Sequence, residues 1–187
     1  MVMMPREVIR RRLTFDDYKQ LPDDQDYEIV EGVLYVSPRP RARHQIIGTH
    51  LAIRLFEHVH QTGLGLVVQD TDLIVSDRDV YISPDIMVFL GEKVASVPLD
   101  GWIHTIPDLV VEVLSPSTRD YDLTTKQRIY AELGVGHYWI ADADGRTLIE
   151  CVLGTDSRYQ ERKVEAPAVF VPALFPQLRI DLGRVFA

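Results

Sequence analysis

The sequence predicts three helices, two from the helical spacing of apolar side chains and one from a capping box. The longest run covers residues 44–62, where apolar side chains at 46, 47, 51, 55, 56 and 59 share one face. A second helix is predicted at about 122–133, and a glycine follows each of these two runs as a natural stop. Thr14 followed by Asp17 resembles a capping box, which predicts the start of a short helix near the N-terminus.

Strand patterns fill the remaining chain. Short apolar or alternating runs predict strands at 27–30, 33–36, 66–69, 73–75, 81–90, 109–114, 137–141 and 147–153. The turn pairs Glu31-Gly32 and Asp144-Gly145 join the first two and the last two of these strands into hairpins. The tail after residue 170 is broken by prolines and is expected to hold no long element. The pattern therefore predicts one mixed α/β domain over residues 1–187, with its core at about 27–153.

The stretch PDLVVEVL, residues 107–114, is the most informative of these strands. Its apolar residues are nearly continuous, which is typical of a central strand covered on both faces. Glu112 lies inside the run, and an isolated ionised carboxylate there costs several kcal/mol unless it is paired or coordinated. The predicted strand YISPDIMVFL likewise carries Asp85 at its centre.

Two adjacent central strands with one carboxylate each can place both acids on one divalent cation. Magnesium suits such a site, because it uses one or two carboxylates, several waters and phosphate oxygens. Alternatively, Asp85 or Glu112 lies at a strand end or pairs with an arginine, and for either acid alone the pattern leaves this open. The matched setting of the two acids favours the metal site.

Lys126 is the third unusual charge. At helical spacing it falls within an apolar stripe with Leu123, Ile129 and Leu133, so the sheet-facing side of the second helix carries an ammonium group. The alternative is a lysine whose stem packs while its charged head reaches water.

Composition bounds the class of protein. The chain has 187 residues, 46% of them hydrophobic, enough for one domain with a substantial core. Its single cysteine, Cys151, excludes an intramolecular disulfide framework and a cysteine-rich zinc site, and suits a reducing cytosol. The charged N-terminus has no apolar core after it and no apolar run could span a membrane, so a cytoplasmic protein is expected.

The formal net charge of −8 argues against a nucleic-acid coat protein held by bulk positive potential. It still allows a local basic patch beside an acidic cleft. Positive charge is concentrated at residues 10–12 and again at Arg39, Arg41 and Arg43. The second cluster is the candidate for contacts to a DNA backbone, with solvated surface as the alternative.

Several sequence strings resemble a known family. YEIVEG, SPDIMVF, PDLVVEVLSPST, DLTTKQRIYAELGV and HYWIAD are similar to the PD-(D/E)XK nuclease superfamily and, more closely, to its Uma-type family, over roughly residues 27–142. The resemblance implies a restriction-endonuclease-like core, a central mixed β-sheet flanked by helices. It also implies an endonuclease that uses Mg²⁺ (or Mn²⁺) to hydrolyse DNA phosphodiester bonds. A homodimer is expected by the same analogy, because cutting two strands favours two sites.

The resemblance implies roles for individual residues. Asp85 and Glu112 would hold the metal together with the backbone carbonyl of Val113. The superfamily's lysine usually lies two residues after the acid, where this chain has Leu114. The resemblance therefore implies that Lys126, on the following helix, supplies the missing ammonium and supports the water or the transition state.

Four more residues are expected at the edge of this site, namely Glu28, His44, Ser115 and Asp122. Each has a plainer alternative. Glu28 is then a strand-face charge, and His44 is a structural or surface histidine. The turn at 115–118 then only caps the helix, and Asp122 forms an ordinary i,i+4 pair with the lysine.

Two other functions fit the same residues. One is a DNA-binding or assembly module that retains the nuclease fold without catalysis. The other is a metal-dependent hydrolase of a different phosphate ester, which the negative net charge permits. The fold cannot choose among them, because function resides in the site.

Overall fold

The computed structural model describes residues 12–22 and 25–187, which form a mixed α/β fold. Their strands are β1 (Asp26–Val30), β2 (Val33–Ser37), β3 (Gly65–Gln69), β4 (Leu73–Val75), β5 (Val80–Ile82), β6 (Ile86–Leu90), β7 (Leu109–Val113), β8 (His137–Asp142), β9 (Thr147–Leu153), β10 (Tyr159–Glu165), β11 (Val169–Phe170) and β12 (Ile180–Asp181). The helices are α1 (Phe15–Tyr18), α2 (Ala42–Val59), α3 (Arg119–Tyr121), α4 (Gln127–Glu132) and α5 (Leu182–Val185). A π-helical turn, Asp122–Lys126, joins α3 to α4, so residues 119–132 form one helical segment. Short 3₁₀ turns follow β4 and β6, at Ser76–Arg78 and Gly91–Ser96.

The strands form two principal sheets. The large sheet has the order β10-β9-β8-β7-β6-β3, and the small one has the order β2-β1-β5-β4. Every neighbouring pair is antiparallel except β7 and β8, which are parallel and are connected through the helical segment 119–132. The short strands β11 and β12 pair separately. This is the mixed sheet flanked by helices that the resemblance implies.

Strand β7 is buried on both faces, as predicted. Its odd-numbered residues from 109 to 113 pack on one side of the sheet, in the core that contains the buried face of α2. Val110 and Leu114 belong to the core on the other side, with the helical segment and the small sheet. Because side chains alternate along a strand, Glu112 also faces this second side.

The predicted strand 81–90 is wrong in one respect. The chain is split there into β5, which belongs to the small sheet, and β6, which belongs to the large one. Pro84 lies in the crossing, where it has no N–H to donate to a ladder. Asp85 therefore precedes the first residue of β6 instead of standing at a strand centre, and β6 is still the antiparallel neighbour of β7.

Two other parts of the chain differ from the prediction. The second helix begins at Arg119, earlier than the expected 122. Strand β10 was not expected, because its sequence YQERKVE is largely polar and exposed, as suits a charged edge strand. The core also extends beyond residue 153, because Phe170 and Ile180 are completely buried in it.

Several local predictions are confirmed. The capping box of Thr14 and Asp17 starts α1, and Glu31 and Gly32 both adopt the positive φ of a tight hairpin turn. Residues 1–11 lie outside the described residues. The structure therefore does not test the expectation that the N-terminus is not a leader, nor most of the basic cluster at 10–12. Among the helices that are described, none has the length and apolarity that crossing a membrane requires.

Candidate active site

One cleft brings the predicted residues together. It has a volume of about 690 Å³ and is lined by residues of both sheets, the start of α2 and the helical segment 119–132. Asp85, Glu112, Val113 and Lys126 all line it, and so do the four expected edge residues.

Lys126 is at the centre of a buried charge cluster, which we call the Lys126 cage. Its Nζ lies 2.9 Å from Oε1 of Glu28, 2.9 Å from Oε1 of Glu112 and 3.6 Å from Oδ1 of Asp122. The residue is only 5% exposed, so its ammonium group is almost entirely withdrawn from bulk solvent. The inward orientation predicted from helical phase is confirmed, and the alternative of a solvent-reaching lysine is wrong.

Each acid of the cage has a second donor. Tyr130 donates its hydroxyl to Oε1 of Glu112 at 2.7 Å, and the backbone N–H of Ser83 donates to Glu28 at 3.1 Å. Thr118 donates to Asp122 at 2.7 Å. The cage therefore has a fixed geometry, because every carboxylate in it is held by a donor besides the lysine.

Ser115 lines the cleft, but it contacts the Lys126 cage only through Thr118. The hydroxyl of Ser115 lies 2.9 Å from that of Thr118, which in turn donates to Asp122. Thr118 stands at the helix N-terminus, but its hydroxyl makes no cap bond to the helix backbone. The expected capping role is thus replaced by support of a buried acid.

The cage carries more negative than positive charge, and the pKa values reflect this. Burial raises the pKa of Glu112 well above its usual value, against the attraction of Lys126. Burial likewise raises the pKa of Asp122 to about 6. Burial alone would lower the pKa of Lys126, but Glu112 and the other acids raise it well above its usual value. Lys126 therefore stays charged, while Glu112 and Asp122 are harder to ionise than usual.

Asp85 lies beside the cage and is held by two donors. Its Oδ2 accepts the backbone N–H of Val113 at 2.6 Å and lies 3.2 Å from Nε2 of His44. Ile86 and Val111 form the last pair of the antiparallel ladder between β6 and β7, and Asp85 and Glu112 are the residues next to that pair on the two segments. Both acids line the cleft. Burial lowers the pKa of His44, but its hydrogen bond and charge interaction with Asp85 raise the pKa overall.

The donor set suits a metal that needs few protein ligands. Within the described residues, no group of three or more His, Cys, Asp or Glu side chains is arranged to hold a metal ion. Asp85 and Glu112 nevertheless offer two hard oxygen donors in a cluster with unneutralised negative charge, and Asp85 itself raises the pKa of Glu112. Mg²⁺ commonly takes one or two carboxylates and completes its shell with water. The residues present therefore fit Mg²⁺ better than a metal that requires a full protein cage.

The three arginines of the predicted basic patch separate in the structure. Arg39 is exposed and lines the cleft, and Arg41 is the exposed residue that precedes α2. Arg43 instead pairs with Asp144 at 3.1 Å and donates to the carbonyl of Ala143. Of the three arginines, only Arg39 lines the cleft, and Arg41 lies exposed two residues further along the chain, with no ion pair among the described residues.

Some residues of the site were not identified from the sequence. Trp102 is 39% exposed and lines the cleft, whereas Trp139 is fully buried. Tyr130 lies between apolar residues of the second predicted helix and donates to Glu112. A tyrosine or tryptophan in an apolar pattern gives no signal of where its polar edge or exposed face points. Only tertiary packing reveals these roles.

The mixed sheet with its flanking helices is the restriction-endonuclease-like fold that the resemblance implies. The chain belongs to the Uma2 family, described as "Putative restriction endonuclease", whose profile matches residues 15–183. Family membership supports a nuclease-like role.

Two other proteins are similar to this chain, one in sequence and one in structure. An uncharacterized protein of Synechocystis sp. is 28% identical over 122 residues, which cover 64% of this chain and 63% of that protein. The match thus spans less than two thirds of that relative. The crystal structure of a "putative nuclease belonging to DUF820" from Anabaena variabilis is similar with a TM-score of 0.75 and 21% identity, covering 93% of this chain and 97% of that one. This second likeness shows the fold.

Replacing Lys126 with methionine tests the cage. The free energy of unfolding at pH 7 should fall by about 3–5 kcal/mol, because buried carboxylates lose their cation. The loss should be smaller at pH 5, below the pKa of about 6 of Asp122. An acid whose pKa is raised on folding destabilises the fold at pH values above its unfolded pKa, and protonation removes that cost. Urea unfolding at both pH values measures the effect.

Lys93→Met is the matched control. Lys93 pairs with Asp108 at 2.7 Å, but its side chain is 40% exposed. Such a pair contributes about 0–1 kcal/mol. A loss at Lys126 that is no larger than at Lys93, and equal at both pH values, would contradict the charge cage.

Proposed function

We propose that the protein is a metal-dependent endonuclease that hydrolyses DNA phosphodiester bonds. The observation that carries the proposal is that two carboxylates, Asp85 and Glu112, line one cleft with an ammonium group 2.9 Å from Glu112, in a Uma2-family chain. These are the charges that phosphodiester hydrolysis requires close together.

Asp85 and Glu112 would hold Mg²⁺ or Mn²⁺, with the backbone carbonyl of Val113 as a third oxygen donor. When bound, such a metal supplies a Lewis acid and lowers the pKa of a water. The protein's own contribution is to hold both carboxylates at fixed positions. Val113 N–H and His44 orient Asp85, while Tyr130 and Lys126 orient Glu112.

Lys126 would act as a fixed positive charge and not as a base. Its pKa is raised well above the usual value, mainly by Glu112 acting against burial, so it stays protonated at neutral pH. A protonated amine stabilises negative charge that develops on the phosphoryl oxygens, and it can orient the attacking water by donating to it. Glu28 would serve as a positioning residue, because it contacts Lys126 from the small sheet.

Homodimer formation stays a prediction, because cutting both strands of a duplex favours two copies of the site. Competition by free nucleotides would distinguish the DNA endonuclease from a hydrolase of a smaller phosphate ester. A chain that bound DNA without cutting it in any divalent metal would instead be the non-catalytic module.

Asp85→Asn and Glu112→Gln should each abolish Mg²⁺-dependent plasmid nicking. Each change removes a charge that the metal needs, while the amide keeps nearly the same shape. Both variants should also lose the increase in melting temperature that Mn²⁺ gives the wild type, because a ligand stabilises only the state that binds it. Asp26→Asn changes an exposed acid of the same cleft and is the control. Wild-type nicking in both variants would refute the two-acid site.

Lys126→Met should lower the single-turnover rate of plasmid cleavage about a hundred- to a thousandfold in saturating Mg²⁺. The physical reason is the loss of one preorganised electrostatic contact in the transition state. The measurement belongs at a temperature at which the variant remains folded, with Lys93→Met beside it. A rate within a few-fold of wild type would remove Lys126 from the chemistry and leave it a structural role only.

Replacing Arg39 and Arg41 with alanine should weaken DNA binding and reduce its salt dependence. The expected change in log–log slope is about 0.9 per lost phosphate contact on duplex DNA and about 0.7 on single strands. Arg43→Ala is the matched control, because its guanidinium is already paired with Asp144. An unchanged slope in the double variant would show that these arginines are solvated surface.

A further inference from the structure

Trp102 is a partly exposed aromatic residue in an acidic cleft. It is 39% exposed and lines the same cleft as Glu112 and Lys126. The exposed part of this indole contributes no free energy of burial, whereas the fully buried ring of Trp139 does. Its position in a cleft suggests contact with a ligand that has an apolar face.

The indole is supported by a packed aromatic cluster. Phe15 meets Trp102 edge-on, with ring centroids 4.8 Å apart and an interplanar angle of 79°. Phe15 stacks on Tyr81, which stacks on Tyr18 at 5.6 Å. A perpendicular contact covers at most one face of the indole, so at least one face is left uncovered by Phe15.

The charges around the indole disfavour a purely electrostatic partner. Among the described residues, seven carboxylate side chains line the cleft, against three Lys or Arg side chains. Duplex DNA carries one negative charge per roughly 1.7 Å of its axis, so this lining repels its backbone wherever no cation intervenes. Affinity inside the cleft must therefore come largely from contacts other than salt links to phosphates.

The size of the cleft also matters. Its volume of about 690 Å³ falls within the range of small-ligand pockets, roughly 300–1,000 Å³. Such a space admits an extruded base with its phosphate more readily than a rod-like duplex. Every nucleobase offers a flat face, and stacking of bases on aromatic side chains is how proteins commonly hold unpaired strands.

We propose that Trp102 stacks on an unpaired DNA base in this cleft, so that the substrate is single-stranded or locally unpaired DNA. The proposal rests on the proposed nuclease function and specifies its substrate class. The aromatic cluster acts as a rigid support, which limits the entropy lost when the base binds.

Intrinsic fluorescence tests the proposal directly, because the chain has two tryptophans and Trp139 is fully buried. The protein is titrated with a short oligothymidylate, and separately with its duplex with oligoadenylate. Titrations in EDTA exclude hydrolysis, and they are repeated in Mg²⁺ with the Glu112→Gln variant. We expect the single strand to quench Trp102 and to bind more tightly than the duplex.

Trp102→Ala should abolish the quenching and raise the Kd for the single strand roughly tenfold or more. Trp102→Phe, which keeps a smaller ring against Phe15, should retain part of the affinity. Leu99→Ala is the matched control, because Leu99 is on the same loop, fully exposed and not part of the cleft lining.

Two outcomes would overturn the proposal. One is tighter binding of the duplex than of the single strand. The other is an unchanged single-strand Kd in both Trp102 variants. Plasmid nicking is a separate result. Nicking without any quenching would support the endonuclease proposal and refute the stacking site. Quenching without nicking would support the stacking site and refute the catalytic proposal.

Discussion

The buried ammonium group of Lys126 is the interaction on which the arrangement of the site depends. It joins the helical segment to Glu28 on the small sheet and to Glu112 on the large sheet, each at 2.9 Å. A charge buried this completely costs several kcal/mol unless it is paired, and carboxylates so buried need a cation in turn. At the cleft, the ion pairs of Lys126 therefore hold the two sheets and the helical segment together, because neither the ammonium group nor the carboxylates tolerate burial alone. The apolar core stabilises the same elements.

The same cluster is the basis of the proposed divalent cation. Three carboxylates surround one ammonium, and Asp85 adds a fourth acid to the same cleft, just before the neighbouring strand β6. Burial and mutual repulsion raise the pKa of Glu112, which means that the charged form is under strain without more positive charge. A divalent metal would relieve that strain, and it would also reduce the barrier that an acidic cleft presents to a phosphate.

In this chain the ammonium beside Glu112 comes from a helical segment. Leu114 occupies the position at which the resemblance leads one to expect a lysine, and its side chain packs in the core. Lys126 ends the π-helical turn Asp122–Lys126, in which both end residues are buried. Its Nζ lies 2.9 Å from Glu112. Similarity to the Anabaena variabilis structure at 21% identity shows that this fold persists through extensive sequence change.

The sequence by itself determined the elements whose signals are local. The spacing of apolar residues predicted α2 and β7. Helical phase predicted that Lys126 faces inward, because the periodicity of a helix shows which of its faces is buried. Glu112 was identified as unusual for the same reason, since a charge inside an apolar run conflicts with its surroundings. The same reasoning paired Glu112 with Asp85, and the superfamily resemblance added the expected role of Lys126 and the expected DNA substrate.

Only the tertiary structure decided which charges meet. Nothing local in the chain shows that Glu28 on the small sheet contacts Lys126, that Pro84 marks a crossing between sheets, or that Trp102 faces the cleft. These facts depend on how distant segments pack, and a side chain's own neighbours in sequence carry no record of that. The large polar edge strand β10 escaped for a related reason: an exposed strand is held by its ladder to β9, which a hydrophobic pattern does not register.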